Sequence, residues 1–129
     1  MLTVTVRDIV ASANVIQELV NTARGRKFSP RIGRYLGVHV FDAVAKVHRD
    51  FYKARDGIIT SYEYKNADGV PEVPKEKMPD FTAAIEVIMD EKRDLPNLYK
   101  IKDEELASAD LTPAEWRTLG WLLSDIENV

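Results

Sequence analysis

The chain has two histidines, His39 and His48, nine positions apart on what reads as one helix. At about 100° per residue that spacing turns them to opposite sides, so they cannot share a metal ion. His39 and Asp42 are helical neighbours able to pair, an arrangement common on exposed surfaces. His48 falls on the shoulder of an apolar stripe, which marks it as a packed side chain rather than a base. Asp90-Glu91 and Asp103-Glu104-Glu105 are carboxylates adjacent in sequence, whereas an acid–base pair must converge across a cleft. The chain contains no glycine-rich phosphate loop, G-x-S-x-G turn or H-E-x-x-H motif. It has no cysteine, which excludes disulfides, thiolate metal sites and thiol nucleophiles and fits a reducing compartment. The sequence therefore reads as non-catalytic, with no catalytic residue, cofactor or metal ligand assigned.

Binding chemistry is more visible than catalysis. Between Glu18 and Asp42 there is no acid, while Arg24, Arg26, Lys27, Arg31 and Arg34 are basic. From Asp103 onward the pattern inverts, and Asp103, Glu104, Glu105, Asp110, Glu115, Asp125 and Glu127 stand against Arg117 alone. The basic segment could contact phosphates or an acidic partner. Alternatively, the two regions face each other inside the fold or are solvated. A net charge of −3 argues against general nucleic-acid affinity. Trp121 is a further candidate contact. On a terminal helix running to Ile126 it would point about 160° from the centre of the apolar stripe. An outward tryptophan can anchor a protein partner; the other reading is that neighbouring elements cover the terminal helix on both sides, or that this helix frays.

These residues must be held by helices. A chain of 129 residues suits a single domain over 1–129, and its hydrophobic content of 45% is enough to build a core without staples. No run approaches the roughly 18 apolar residues of a membrane span, and the first residues lack the basic segment and apolar core of a signal peptide. Thr5 and Asp8 resemble a capping box, with Val4 and Ile9 as a hydrophobic staple. Helix one then buries Ile9, Ala13, Ile16, Leu19, Val20 and Ala23, and Gly25 ends it. Ser29-Pro30 opens a long helix over 29–62 with a stripe at Val40, Val44, Val47, Phe51, Ala54 and Ile58. A second row at Phe41, Val44, Phe51, Ile58 and Tyr62 widens that stripe. Gly33 and Gly37, one turn apart, either permit close backbone packing or mark a weak first section, and a break near Gly37 is compatible with that spacing.

Asn66, Asp68, Gly69, Pro71 and Pro74 punctuate the chain, with a turn at Ala67-Asp68-Gly69. Helix three carries Met78, Phe81, Ile85 and Ile88, has Pro79 near its start and is closed by Pro96. Leu98-Tyr99-Lys100-Ile101 alternates like a strand, as does Leu2-Thr3-Val4, so these two could pair as a minimal ribbon. The last helix has Thr112 and Glu115 as a capping box, Pro113 in first position, and an inward face of Trp116, Leu119, Leu122, Leu123 and Ile126. The expected fold is mainly α, about four helices bundled on a long central helix, with that ribbon beside them. Bundling within the chain is the default, and a face left uncovered would favour a homodimer through the long helix.

The order of segments also carries a resemblance. L-T-V-T-V-R-D-I-V leads into a helix and is followed by F-S-P-R-I-G-R-Y-L, F-Y-K-A-R-D-G-I-I-T-S-Y-E-Y and N-A-D-G. Then come P-E-V-P-K-E-K-M-P-D-F and the closing D-L-T-P-A-E-W-R-T-L. Across nearly the whole chain this arrangement resembles a family of small, mostly uncharacterised proteins of tailed bacteriophages. Members usually have a polar segment where this chain has R-I-G-R-Y-L-G. The resemblance implies a helical fold, phage origin and no assigned activity. With it, the expectation is an accessory protein that binds a phage structural protein or a host protein. It would act in the bacterial host cytoplasm during infection or ride in the virion. The alternative is a nucleic-acid-associated regulator using the basic segment 24–34.

Overall fold

Thr5 sets the first boundary. Its backbone is extended and its hydroxyl accepts from the Asp8 N–H at 3.2 Å, so strand β1 (Leu2–Thr5) passes directly into helix α1 (Val6–Asn21). The computed structural model describes residues 2–22 and 27–123. The expected stop at Gly25 and the apolar position Ala23 lie outside the described residues, and α1 itself ends at Asn21. Its buried stripe is Val6, Ile9, Ser12, Ile16 and Leu19, with Ala13 and Val20 half-buried at the shoulders.

The long helix α2 opens as the Ser-Pro pair requires, with the Ser29 hydroxyl accepting from the Ile32 N–H at 3.3 Å and Pro30 in the first turn. It runs through Pro30–Arg34, Tyr35–Val40 and Phe41–Ser61 without interruption, 32 residues in all. The middle section is π-helical, and the apolar spacing accounts for it. Ile32, Leu36, Val40 and Val44 are buried four apart. Each step of four overshoots a full turn by about 40°, so three in succession would carry the stripe about 120° away from the core. A wider turn absorbs the surplus residue and keeps the stripe on one side. The weakness expected near Gly37 is thus a widened turn, not a break.

Beyond Phe51 the stripe loses its cover. Ala54 is exposed and Ile58 only half-buried. The helix ends at Ser61, and the chain turns back through a tight loop. There Asn66 Oδ1 accepts from the Asp68 and Val70 N–H groups, and Gly69 takes φ of 79°. Helix α3 (Met78–Met89) returns along α2, with Pro79 in its first turn. It ends seven residues before Pro96, because residues 92–95 are needed elsewhere. Strand β2 (Lys92–Leu95) pairs antiparallel with β1, Leu2 opposite Leu95 and Thr5 opposite Lys92. The ribbon therefore exists, but Leu98–Ile101 is not its second strand. Leu2, Val4 and Leu95 turn inward from the paired strands, and Pro96 then ends the pairing.

Two short helices finish the described chain, α4 (Asp103–Leu106) and α5 (Pro113–Thr118). The Thr112–Glu115 capping box forms as expected. The inward face, however, does not continue as a helix. After Thr118 the chain takes a 3₁₀ turn at Gly120–Leu122, and Leu123 becomes extended and bridges to Ile101. Leu119, Leu122 and Leu123 are buried all the same; Ile126 lies outside the described residues.

Mainly α architecture on a long central helix with a two-stranded ribbon is what forms, with five helices among the described residues because α4 adds one turn. Its core is lopsided. The buried residues come from β1, α1, the first half of α2 and the chain after Leu95, whereas no residue in 52–94 is buried. The second half of α2, the hairpin loop and the start of α3 form a distal arm of two helices, while the end of α3 packs on the core through Ile85, Ile88 and Met89, and Arg7 of α1 pairs with Glu86 and Asp90. Accordingly Leu19→Ala should cost about 3 kcal/mol, and Phe81→Ala, on the arm, about 1 kcal/mol, in urea unfolding. Equal losses at both sites would show that the arm is packed as tightly as the core.

Candidate functional site

Tyr35 sits in the widened turn of α2, where the ring is buried and the hydroxyl faces residues 95–101. That hydroxyl donates to the Tyr99 carbonyl at 2.6 Å and accepts from the Tyr99 N–H at 2.8 Å. One phenol thereby satisfies both backbone groups of a residue outside any helix or strand. The two rings stack, with centroids 4.2 Å apart and planes within 20°. Burial pushes the Tyr35 phenol above its ordinary value of 10.0, against the opposing effect of the backbone hydrogen bond.

The clasp holds residues 93–99 beside α2 and leaves two clefts between them. The first, of about 420 Å³, has Ala43, Val47, Leu95 and Leu98 on its floor and Asp42, Lys46, Asp50, Arg93 and Asp94 around them. The second, wider and about 670 Å³, is lined by Pro30, Arg31, Arg34, Tyr35, His39, Asn97 and Tyr99. His39 and Asn97 belong to both. His39 is exposed, its ring centroid 6.3 Å from that of Tyr35. No hydrogen bond orients that ring among the described residues. Among the described residues no cluster of His, Asp and Glu could hold a metal ion.

The basic segment meets the acidic one. Arg31 Nη2 donates to Glu105 Oε1 at 2.7 Å, Lys27 lies 3.5 Å from Asp110, and the Ser108 hydroxyl donates to the Lys27 carbonyl at 3.0 Å. Arg34 has no ion pair or hydrogen bond among the described residues. Arg24 and Arg26 lie outside the described residues. Lys27, Arg31 and Arg34 therefore do not form one free basic patch: two of the three already have carboxylate partners.

Trp121 is not the outward-facing anchor that a continued helix would make it. Because α5 stops at Thr118, the 100° progression ends before Trp121, and the ring turns back onto α1. Its Nε1 donates to Ser12 Oγ at 3.2 Å, while Ser12 donates to the Ile9 carbonyl at 3.0 Å. The half-buried indole still lines a shallow cleft with Leu2, Thr5, Asp8 and Lys100. Sequence reasoning missed Ser12. The available signal was its position three residues after Ile9 and four before Ile16, inside the stripe.

A second surface is apolar and lies on the distal arm. Tyr64, Val70 and Met78 are exposed near its tip, where Ile58, Ile59, Tyr62 and Phe81 are only half-buried. Tyr64 and Val70 share one face of the hairpin loop, whose Lys65–Pro71 bridge places them on the same side.

The clasp gives a pH-dependent expectation. A phenol whose folded pKa is raised holds its proton more tightly in the folded state, so its stabilisation is complete below the ordinary value of 10.0 and is lost as pH rises through the folded value. Tyr35→Phe should lower stability by about 1–3 kcal/mol near neutrality, because Tyr99 loses both backbone partners. In circular dichroism above pH 10 it should also lose less of its remaining stability than the parent does. Parallel alkaline curves for the two proteins would exclude Tyr35 as the titrating group.

No family model, curated protein or solved structure matches the chain.

Proposed function

We propose that the protein is a non-catalytic accessory factor that works by binding another protein, through the tip of its distal arm. The observation that carries this reading is the absence of any buried residue in 52–94, although the tip of that stretch includes Ile58, Ile59 and Phe81, half-buried, and Tyr64, Val70 and Met78, exposed. A two-helix arm has one interface and leaves apolar edges open to water. Contiguous exposed apolar surface on a soluble protein is a mark of interaction sites. Tyr64 supplies an aromatic of the kind enriched at binding hot spots.

The resemblance to tailed-bacteriophage proteins supports a partner that is either a phage structural protein or a host protein met in the bacterial cytoplasm. A second copy of the chain would cover the same edges by completing a four-helix arrangement. The regulator of nucleic acid is the weaker reading, since Lys27 and Arg31 already face carboxylates. No helix among the described residues is long and apolar enough to cross a membrane.

The test is recovery of partners by tagged protein from phage-infected cells, alongside a Tyr64→Ala, Val70→Lys double variant shown to be folded. The parent should bring down a stoichiometric protein, and the variant about tenfold less. A virion component in the recovered fraction would place the protein in assembly, and a host enzyme or polymerase would make it a takeover factor. Unchanged recovery by the variant would remove the tip from the interface. Recovery of nucleic acid alone, lost on nuclease treatment, would overturn the protein-binding reading.

A further inference from the structure

We infer that the two joined clefts beside α2 form a groove for an extended peptide segment of a partner protein, acidic at one end and apolar at the other. The linings are directional. Among the residues of the wider cleft there is no carboxylate, while Arg31, Arg34, His39 and Asn97 all offer N–H donors. The neighbouring cleft offers an apolar floor of Ala43, Val47, Leu95 and Leu98. Through the shared His39 and Asn97 one continues into the other.

The chain itself shows how a carboxylate is taken here. Glu105 sits 2.7 Å from Arg31 Nη2, while Nη1 of the same guanidinium lies 3.5 Å from the Tyr99 hydroxyl. Arg34, about one helical turn along, has no such partner among the described residues. A guanidinium can hold a carboxylate by two parallel hydrogen bonds, so Arg34 is equipped to take an acidic side chain from outside. From Arg34 to Val47 the helix rises by about 20 Å, a distance that an extended peptide crosses in about six residues. A nucleic-acid strand fits less well, because Asp42, Asp50 and Asp94 border the second cleft and repel a continuous row of phosphates. The groove uses none of the residues at the distal tip, so this inference and the proposed function can fail separately.

The probe is a fluorescein-labelled octapeptide with two glutamates, two serines and then a leucine- and valine-rich half, read by fluorescence anisotropy. Controls are the same peptide with glutamines for glutamates, the reversed sequence, and a deoxythymidine octamer. The glutamate peptide should bind at least about tenfold tighter than the glutamine and reversed forms, and weaken as salt is raised. Arg34→Glu, at an exposed position that should not disturb folding, should cost about tenfold, and Arg34→Lys should recover part of that loss. Absence of saturable binding, equal binding of the glutamate and glutamine peptides, indifference to Arg34→Glu, or tighter binding of the octamer would each overturn the inference.

Discussion

A helix of 32 residues spans about 48 Å, and the helix that packs along it, with 16 residues, covers about half of that. This mismatch governs the molecule. Where α1 lies against α2, a third layer assembled from β1, Leu95–Ile101 and the short C-terminal helices closes a core that excludes water from Ile9, Ile16, Leu19, Val40 and Leu122. Past Phe51, α3 alone accompanies the helix, and apolar side chains stay at the surface. Two regimes of packing therefore share one continuous rod. The first gives the protein its buried core, and the second carries Tyr64, Val70, Met78 and Val87, four of the six large apolar side chains exposed among the described residues.

Much of this could be read from the residues because it is local. Caps are fixed by four consecutive residues, so Ser29-Pro30 and Thr112-Glu115 announce their helices without reference to the rest of the chain. The stripe of α2 follows from a period repeated over several turns. The pairing of β1 was not legible. Lys92–Leu95 is three charged residues and a leucine, with no alternation to mark a strand, and what selects it over Leu98–Ile101 is how soon after α3 the chain can reach β1. The backbone bond from the Val6 N–H to the Glu91 carbonyl, at 2.9 Å, fixes that point. Trp121 was misplaced for a related reason, because helical projection assumes a helix that Gly120 and the bridge to Ile101 bring to an end. The clefts were invisible, being defined by the Tyr35–Tyr99 clasp across 64 positions of sequence.

Charge follows the same logic. The sequence shows a basic half and an acidic half, and the fold places the described part of one against the other. At exposed positions such pairs contribute little individually, typically less than about 1 kcal/mol. Their main effect is on which surface remains available: Arg31 and Lys27 are engaged by Glu105 and Asp110, and Arg34 is left facing the cleft. The widened turn contributes as well, since it sets the rotational phase of Tyr35 and His39 relative to the helix that follows.

The ribbon has a consequence in time. Thr3 bonds Asp94 at 2.8 Å across 91 positions, so the first strand of the chain has no partner until Leu95 is present. During synthesis the proximal halves of α1 and α2 can already meet, being close in sequence and rich in short-range contacts. Leu2 and Val4 wait at the edge with their backbone groups unpaired. Non-local closure of this kind is slow to return the entropy it consumes. The ribbon can therefore close only once α3 has been made, and until then α1 and α2 can pair only without the third layer that Leu98, Ile101, Leu106 and Leu122 later supply.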